Sequence, residues 1–206
     1  MLDAPVRRAL EPPLAAAGIR LARAGVSPAA LTGTGFAAGV AACVAAGLGW
    51  WTAALVLWLA NRLLDGLDGP CARATAATDR GGFLDICADF TVYAGFVLGV
   101  SVAVPDARLA CVVLLCAYYV SGTAFLALSS LAERRRAAGG DGRSLRFVGG
   151  LAEGTETVVA YVLFCLFPGH AAAIAWAFAA LVAVTAVQRV LLGARLLRPT
   201  TLPESR

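Results

Sequence analysis

Five of the chain's thirteen acidic residues fall between positions 65 and 89, and four of them are spaced in a way that suits them to chemistry. Asp65 and Asp68 are three apart, and Asp85 and Asp89 are four apart. On helices both intervals put a pair of side chains on one face, so two neighbouring helices would present four carboxylates to each other. An all-oxygen cluster of this kind suits hard divalent cations such as Mg²⁺ or Mn²⁺, which are commonly shared between carboxylates and substrate phosphates. Two such cations could bridge a diphosphate, withdraw charge from the phosphorus under attack and stabilise the departing phosphate. One carboxylate could stay free as general base for an attacking hydroxyl.

The residues between the pairs suit the same task. Gly69, Ala72 and Gly81 lack bulk and allow backbone and nucleotide to approach closely. Arg73 is a planar two-pronged donor suited to a diphosphate. At membrane depth each aspartate costs on the order of 3 kcal/mol, so four unpaired ones would total roughly 10 kcal/mol before mutual repulsion. Arg62, Arg73 and Arg80 could neutralise part of this charge. A purely structural ion-pair network, however, would not require two carboxylates on each of two adjacent helices.

The elements that must position these residues are membrane helices. The 206 residues are 60% hydrophobic with a mean hydropathy of +0.78, too apolar for a soluble domain of this length. A helix needs about 20 apolar residues to cross the hydrocarbon layer. Six stretches qualify, near 28 to 49, 50 to 68, 82 to 104, 107 to 132, 148 to 167 and 170 to 196. The expected fold is therefore all-α, a polytopic membrane protein in one domain over 1–206, with six transmembrane helices within 28–196 and a tail over 197–206. Residues 1–25 alternate Arg7, Arg8, Arg20 and Arg23 with Leu10, Leu14, Ile19 and Leu21, the pattern of an interfacial amphipathic helix. Asp3, Glu11, Pro12 and Pro13 interrupt it and argue against a cleaved secretory signal.

All 17 basic residues are arginines, and they set the orientation. With the N-terminus inside, those of the first segment, of the 73 to 80 loop, of the 134 to 146 loop and of the tail are cytoplasmic, and only Arg108 falls outside. The carboxylate cluster then faces the cytoplasm. A net charge of +4, scattered along the chain, points to lipid headgroups or anionic phosphates rather than nucleic acid. The six cysteines form no C-x-x-C pair, and neither a disulfide framework nor a zinc site is expected. Gly35 with Gly39 and Gly95 with Gly99 permit close helix approach, either inside the bundle or in a homodimer.

As a pattern, the acidic stretch is D-x-x-D-G-x-x-A-R-x₇-G-x-x-x-D-x-x-x-D, with fixed positions Asp65, Asp68, Gly69, Ala72, Arg73, Gly81, Asp85 and Asp89. It resembles the signature of the class I CDP-alcohol phosphatidyltransferase family. The run Asn61-Arg-Leu-Leu-Asp65-Gly-Leu-Asp68-Gly69 and the stretch from Gly149 to Thr157 look like an uncharacterised bacterial branch of that family. The resemblance implies a membrane enzyme of phospholipid biosynthesis, in the inner membrane, that transfers a phosphatidyl-type group from a CDP-linked lipid, usually CDP-diacylglycerol, to an alcohol acceptor with release of CMP. It also implies that Asp65, Asp68 and Asp85 ligate the metals and that Asp89 ligates metal or acts as base. Gly69, Ala72, Arg73 and Gly81 would line the nucleotide and diphosphate site.

Glu153 and Glu156 share a face at the start of the fifth span, where they could meet the acceptor or interact with the positive end of their own helix. In branches of the family it resembles that accept a phosphorylated alcohol, arginines of the later spans hold the acceptor phosphate, and Arg143, Arg146 and Arg189 are the candidates for this here. A different class of function, a cation transporter with intramembrane carboxylates, would also explain acidic residues at this depth. It would leave Gly69, Ala72 and Arg73 without a reason.

Overall fold

In an apolar surrounding the backbone has no water to bond, so it must satisfy its own N–H and C=O groups, and a helix does this within one segment. The computed structural model describes residues 3–75, 77–137 and 154–197, which are helical apart from short connections. Seven helices follow in order: α1 (Asp3–Arg23), α2 (Pro28–Gly47), α3 (Trp51–Ala74), α4 (Asp79–Ala103), α5 (Arg108–Ala137), α6 (Gly154–Leu166) and α7 (Ala171–Leu196). Single 3-10 turns, Pro105–Ala107 and Pro168–His170, lead into α5 and α7.

Local chemistry sets the boundaries. Ser27 caps α2 by accepting from the Ala30 N–H at 3.2 Å, with Pro28 in the first turn, where its missing N–H costs nothing. Thr78 caps α4 in the same way. The turns before α2 and before α3 use Gly25 and Gly49 with φ of +82° and +73°, a left-handed conformation that glycine adopts without penalty.

Among the described residues four helices are long and apolar enough to cross a membrane: α2, α4, the stretch Pro105–Leu131 and the stretch Pro168–Leu196. The other two expected spans differ for physical reasons. Helix α3 is 24 residues long but carries Arg62, Asp65, Asp68 and Arg73. Helix α6 has 13 residues within the described region. Val44, Val56, Leu98, Leu109 and Val187 on the outer faces are each more than half exposed, a surface suited to lipid.

Helix α2 packs chiefly on α3 and α4, α5 on α7, and α1 on α3. Both small-residue pairs are spent inside the chain. A side chain on Gly39 would run into Val92 and Asn61, and Gly99 lies against the Cys43 carbonyl and Gly47. Below the acidic pairs, Trp58, Phe96, Tyr161 and Phe164 form a buried aromatic floor with the partly buried Tyr93 against it, and Trp58 and Phe96 are each 4.7 Å from the Tyr161 ring centre. The Tyr161 hydroxyl donates to the Tyr93 carbonyl at 2.8 Å, tying α6 to α4.

Candidate functional site

The second half of α3 and the first half of α4 carry the four aspartates to the end of the bundle where α2 begins. There Asp65, Asp68, Asp85 and Asp89 line one cavity together with Thr32, Asn61 and Ala88. The cavity is small, with about 10 Å³ of space for a water-sized body. The two pairs predicted from spacing are thus brought onto one space.

The carboxylates differ in their surroundings. Asp68 is buried and its Oδ2 accepts a 2.8 Å hydrogen bond from the Thr32 hydroxyl of α2. It faces Asp85 across the crossing of α3 and α4. Asp65 and Asp89 are about 30% and 27% exposed and share one cation. Arg62 Nη2 donates to Asp89 Oδ1 at 2.7 Å, and Nη1 lies 3.5 Å from Asp65 Oδ2.

Arg62 is fixed on every side. Nη1 also donates to the Tyr93 hydroxyl at 2.7 Å, and Nε to Asn61 Oδ1 at 2.8 Å. Its guanidinium lies 4.8 Å from the Trp58 ring centre and 5.0 Å from that of Tyr93, a favourable placement for a desolvated cation. Asn61 is buried and donates in turn to the Gly35 carbonyl at 2.8 Å. From sequence, Arg62 was one of three arginines able to offset charge. Of these, Arg62 forms ion pairs with the cluster, whereas Arg73 and Arg80 are exposed.

Among the described residues no three His, Cys, Asp or Glu side chains are drawn into a ready-made metal cage, and Asp65 and Asp89 pair with Arg62. The donor set nevertheless fits a hard divalent cation: the charged groups lining the cavity are carboxylates, and the neutral polar neighbours are Thr32 and Asn61.

The other expected residues spread around this centre. Arg73 folds back along α3 until Nη1 would lie 3.4 Å from a side-chain carbon on Gly69. Ala72 is half-buried one residue before it. The Gly81 N–H donates to Thr78 Oγ1 at 3.1 Å, so this glycine belongs to the cap of α4. Glu156 is half-buried in the first turn of α6 and does not line the cavity. Arg189 on α7 donates from Nη1 to the hydroxyl of Ser121 at 2.9 Å and stacks over Phe125 of α5. Arg143, Arg146 and Glu153 lie outside the described residues. The geometry adds Thr32, Asn61 and Tyr93 to the site. Thr32 sits 36 positions from Asp68 and Tyr93 31 from Arg62, so nothing local in the chain announces them.

The family model described as CDP-alcohol phosphatidyltransferase matches residues 26–188. The inner membrane protein YnjF of Escherichia coli K12 is 44% identical over 193 residues, covering 92% of this chain and 94% of that one. The phosphatidylinositol phosphate synthase PgsA1 of Mycobacterium tuberculosis, solved with CDP-DAG bound, has a TM-score of 0.68 at 21% identity, covering 92% of this chain and 98% of that chain. The same protein in complex with manganese and citrate has a TM-score of 0.68 at 21% identity, covering 94% of this chain and 96% of that chain. These two likenesses speak to the fold. The match across most of the chain and the nearly end-to-end relative speak to descent, so the chain belongs to the CDP-alcohol phosphatidyltransferase family and is an enzyme of that kind.

Proposed function

We propose that this enzyme transfers a phosphatidyl-type group from CDP-diacylglycerol to an alcohol acceptor, releasing CMP, in phospholipid biosynthesis at the inner membrane. The observation that carries this reading is the convergence of four aspartates from α3 and α4 on one small cavity. CDP-DAG and manganese in the structures of PgsA1 support the donor and the metal, and the name of the E. coli relative supports the location.

In this reading all of α2 to α7 span the membrane within one domain, α1 lies along the interface, and the aspartates face the cytoplasm, where arginine-rich connections are retained. Asp65, Asp68 and Asp85 would hold Mg²⁺ or Mn²⁺, two ions, with Asp89 as a further ligand or as the base. When bound, these cations withdraw charge from phosphorus and neutralise the departing phosphate. Gly69, Ala72, Arg73 and Gly81 lie outside the narrow cavity and receive the nucleotide and diphosphate. The acceptor oxygen attacks the phosphorus that carries the lipid, and its proton passes to Asp89 Oδ2. The bond from that phosphorus to the bridging oxygen breaks, and the electron pair leaves with CMP. Glu156 and Arg189, with Arg143, Arg146 and Glu153 from the connection before α6, are the candidates for holding the acceptor. The transporter alternative leaves Gly69, Ala72 and Arg73 without a role.

The test is CMP release by purified protein supplied with labelled CDP-diacylglycerol, Mn²⁺ or Mg²⁺, and in turn glycerol phosphate, inositol phosphate, inositol, serine and phosphatidylglycerol. The expected result is release with one of these acceptors and a matching lipid product by mass spectrometry. Silence with all of them under both cations would overturn the reading. Asp89→Asn should abolish turnover and leave nucleotide binding largely intact, and retained turnover would remove Asp89 as the base.

A further inference from the structure

One charged side chain stands behind the carboxylates without lining their cavity. Arg62 is only 11% exposed in its side chain, and all three of its guanidinium nitrogens have partners. Asn61 holds one edge, Tyr93 and Asp65 a second, Asp89 the third, and the Trp58 and Tyr93 rings flank its plane. Asn61 is itself anchored to the α2 backbone. Swinging the cation away would break several bonds at once and leave it buried without partners, so it stays put as the cavity fills.

Two consequences follow from a cation fixed there. Asp89 is held by Oδ1, so the carboxylate cannot rotate freely, and Oδ2 has no hydrogen-bond partner among the described residues. With all four carboxylates ionised, as ligation of a cation requires, the cluster sets one positive charge against four negative ones. Two divalent cations then bring the total to a net positive value rather than to neutrality, which suits an incoming diphosphate and disfavours full loading before it arrives.

We propose that Arg62 is a positioning residue and built-in counter-cation: it pins Asp89 by one oxygen so that the other serves the acceptor proton, and it restrains divalent-cation loading until the donor's diphosphate is present. This rests on reading the cavity as the cation and diphosphate site. Arginine is required because lysine carries the charge without the planar fork, and cannot span Asn61, Tyr93 and Asp89 together.

The experiment uses the full chain in detergent, with Mn²⁺ binding followed by electron paramagnetic resonance in the absence of any donor. Arg62→Met should bind Mn²⁺ at least about tenfold more tightly than the native protein, since a nearby positive charge has been removed. Arg62→Lys should keep Mn²⁺ affinity near native. Its kcat, counted per Mn²⁺-binding molecule, should fall roughly 100-fold because Asp89 is no longer held. Its KM for CDP-diacylglycerol should stay within about twofold. A residue that only supports the fold would lower the folded fraction without tightening Mn²⁺. Unchanged or weaker Mn²⁺ binding in folded Arg62→Met overturns the counter-cation. Should the Met variant not fold, a fully active Arg62→Lys overturns the positioning role. The Mn²⁺ titration needs no substrate, so it decides the point even if the native protein releases no CMP, a result that would count against the transferase reading alone.

Discussion

Gly39 offers a test of how closely the helices must approach to build the site. A Cβ on Gly39 would lie 2.5 Å and 2.9 Å from the two Val92 methyls and 2.9 Å from Asn61 Nδ2. Ordinary carbon contacts are about 3.5–4.0 Å, so something must retreat by roughly 1 Å. Val92 is 1% exposed and β-branched, with essentially one side-chain rotamer on a helix. Either α4 moves away from α2 or the Asn61 amide is displaced, losing its 2.8 Å bond to the Gly35 carbonyl.

Overpacking costs about 1–3 kcal/mol, and a buried amide left without its partner another 1–3 kcal/mol or so. The better helix propensity of alanine returns about 1 kcal/mol. The net for Gly39→Ala is a loss of about 3 kcal/mol, and at about 2–4 °C per kcal/mol for a chain of this size Tm should drop by about 6–12 °C. The control is Gly33→Ala on the same helix, where a Cβ meets nothing within 4 Å. It should be neutral, or stabilising by up to about 1 kcal/mol. The assay is thermal unfolding in detergent by tryptophan fluorescence, with CMP release measured below both transitions. Displacing Asn61 also loosens Arg62 Nε, so Gly39→Ala should lose turnover as well as stability. Equal Tm and equal rates for the two variants would refute the packing argument and the link from Asn61 to the site.

Thr32→Val removes the 2.8 Å bond to Asp68, and a hydrogen bond to a charged group is worth about 1.5–3 kcal/mol. Turnover at limiting Mn²⁺ should fall by about one to two orders of magnitude, recover partly at high Mn²⁺, and be spared in Thr32→Ser; an unaffected Mn²⁺ dependence would contradict a role for Thr32 at Asp68. Chelation should stop CMP release, and either Mn²⁺ or Mg²⁺ should restore it, whereas release that continues in excess chelator would exclude a metal requirement.

The acidic pairs were readable because a three- or four-residue interval has one meaning on a helix, and because their setting at a helix junction needs no long-range information. Within the described residues the apolar stretches fall in helices, although α3 is much less apolar than its neighbours for the reason that matters to the site: it carries half of the cluster and its counter-ion. What could not be read is what depends on distant parts of the chain meeting. Arg62 has an obvious relation to Asp65 three positions on, but its short bond goes to Asp89 and its flanking ring to Tyr93. For the glycine pairs, sequence allowed a homodimer or internal packing. Gly39 against Val92 and Gly99 against the Cys43 carbonyl are contacts within the chain, fixed by a crossing of α2 and α4 that spacing alone does not specify.

The first helix shows the same dependence on long-range contact. The family match begins at residue 26, so α1 lies outside the shared pattern. It nonetheless touches the stretch of α3 that carries Asp68, Gly69 and Arg73. A Cβ on Gly18 would sit 2.6 Å from Pro70 Cβ and 3.0 Å from the Cys71 nitrogen, and Leu14 covers Gly66. Pro70 has no N–H for the Gly66 carbonyl, so the last turns of α3 are short of one helical bond. Close packing against the α1 backbone, with Cys71 Sγ donating to the Val26 carbonyl at 3.4 Å, supports that weakened segment from outside. In a bilayer such support must come from contact, because lipid provides little drive to press helices together. Helix α1 therefore packs directly on the turns of α3 that carry the aspartates, even though it contributes no side chain to their cavity.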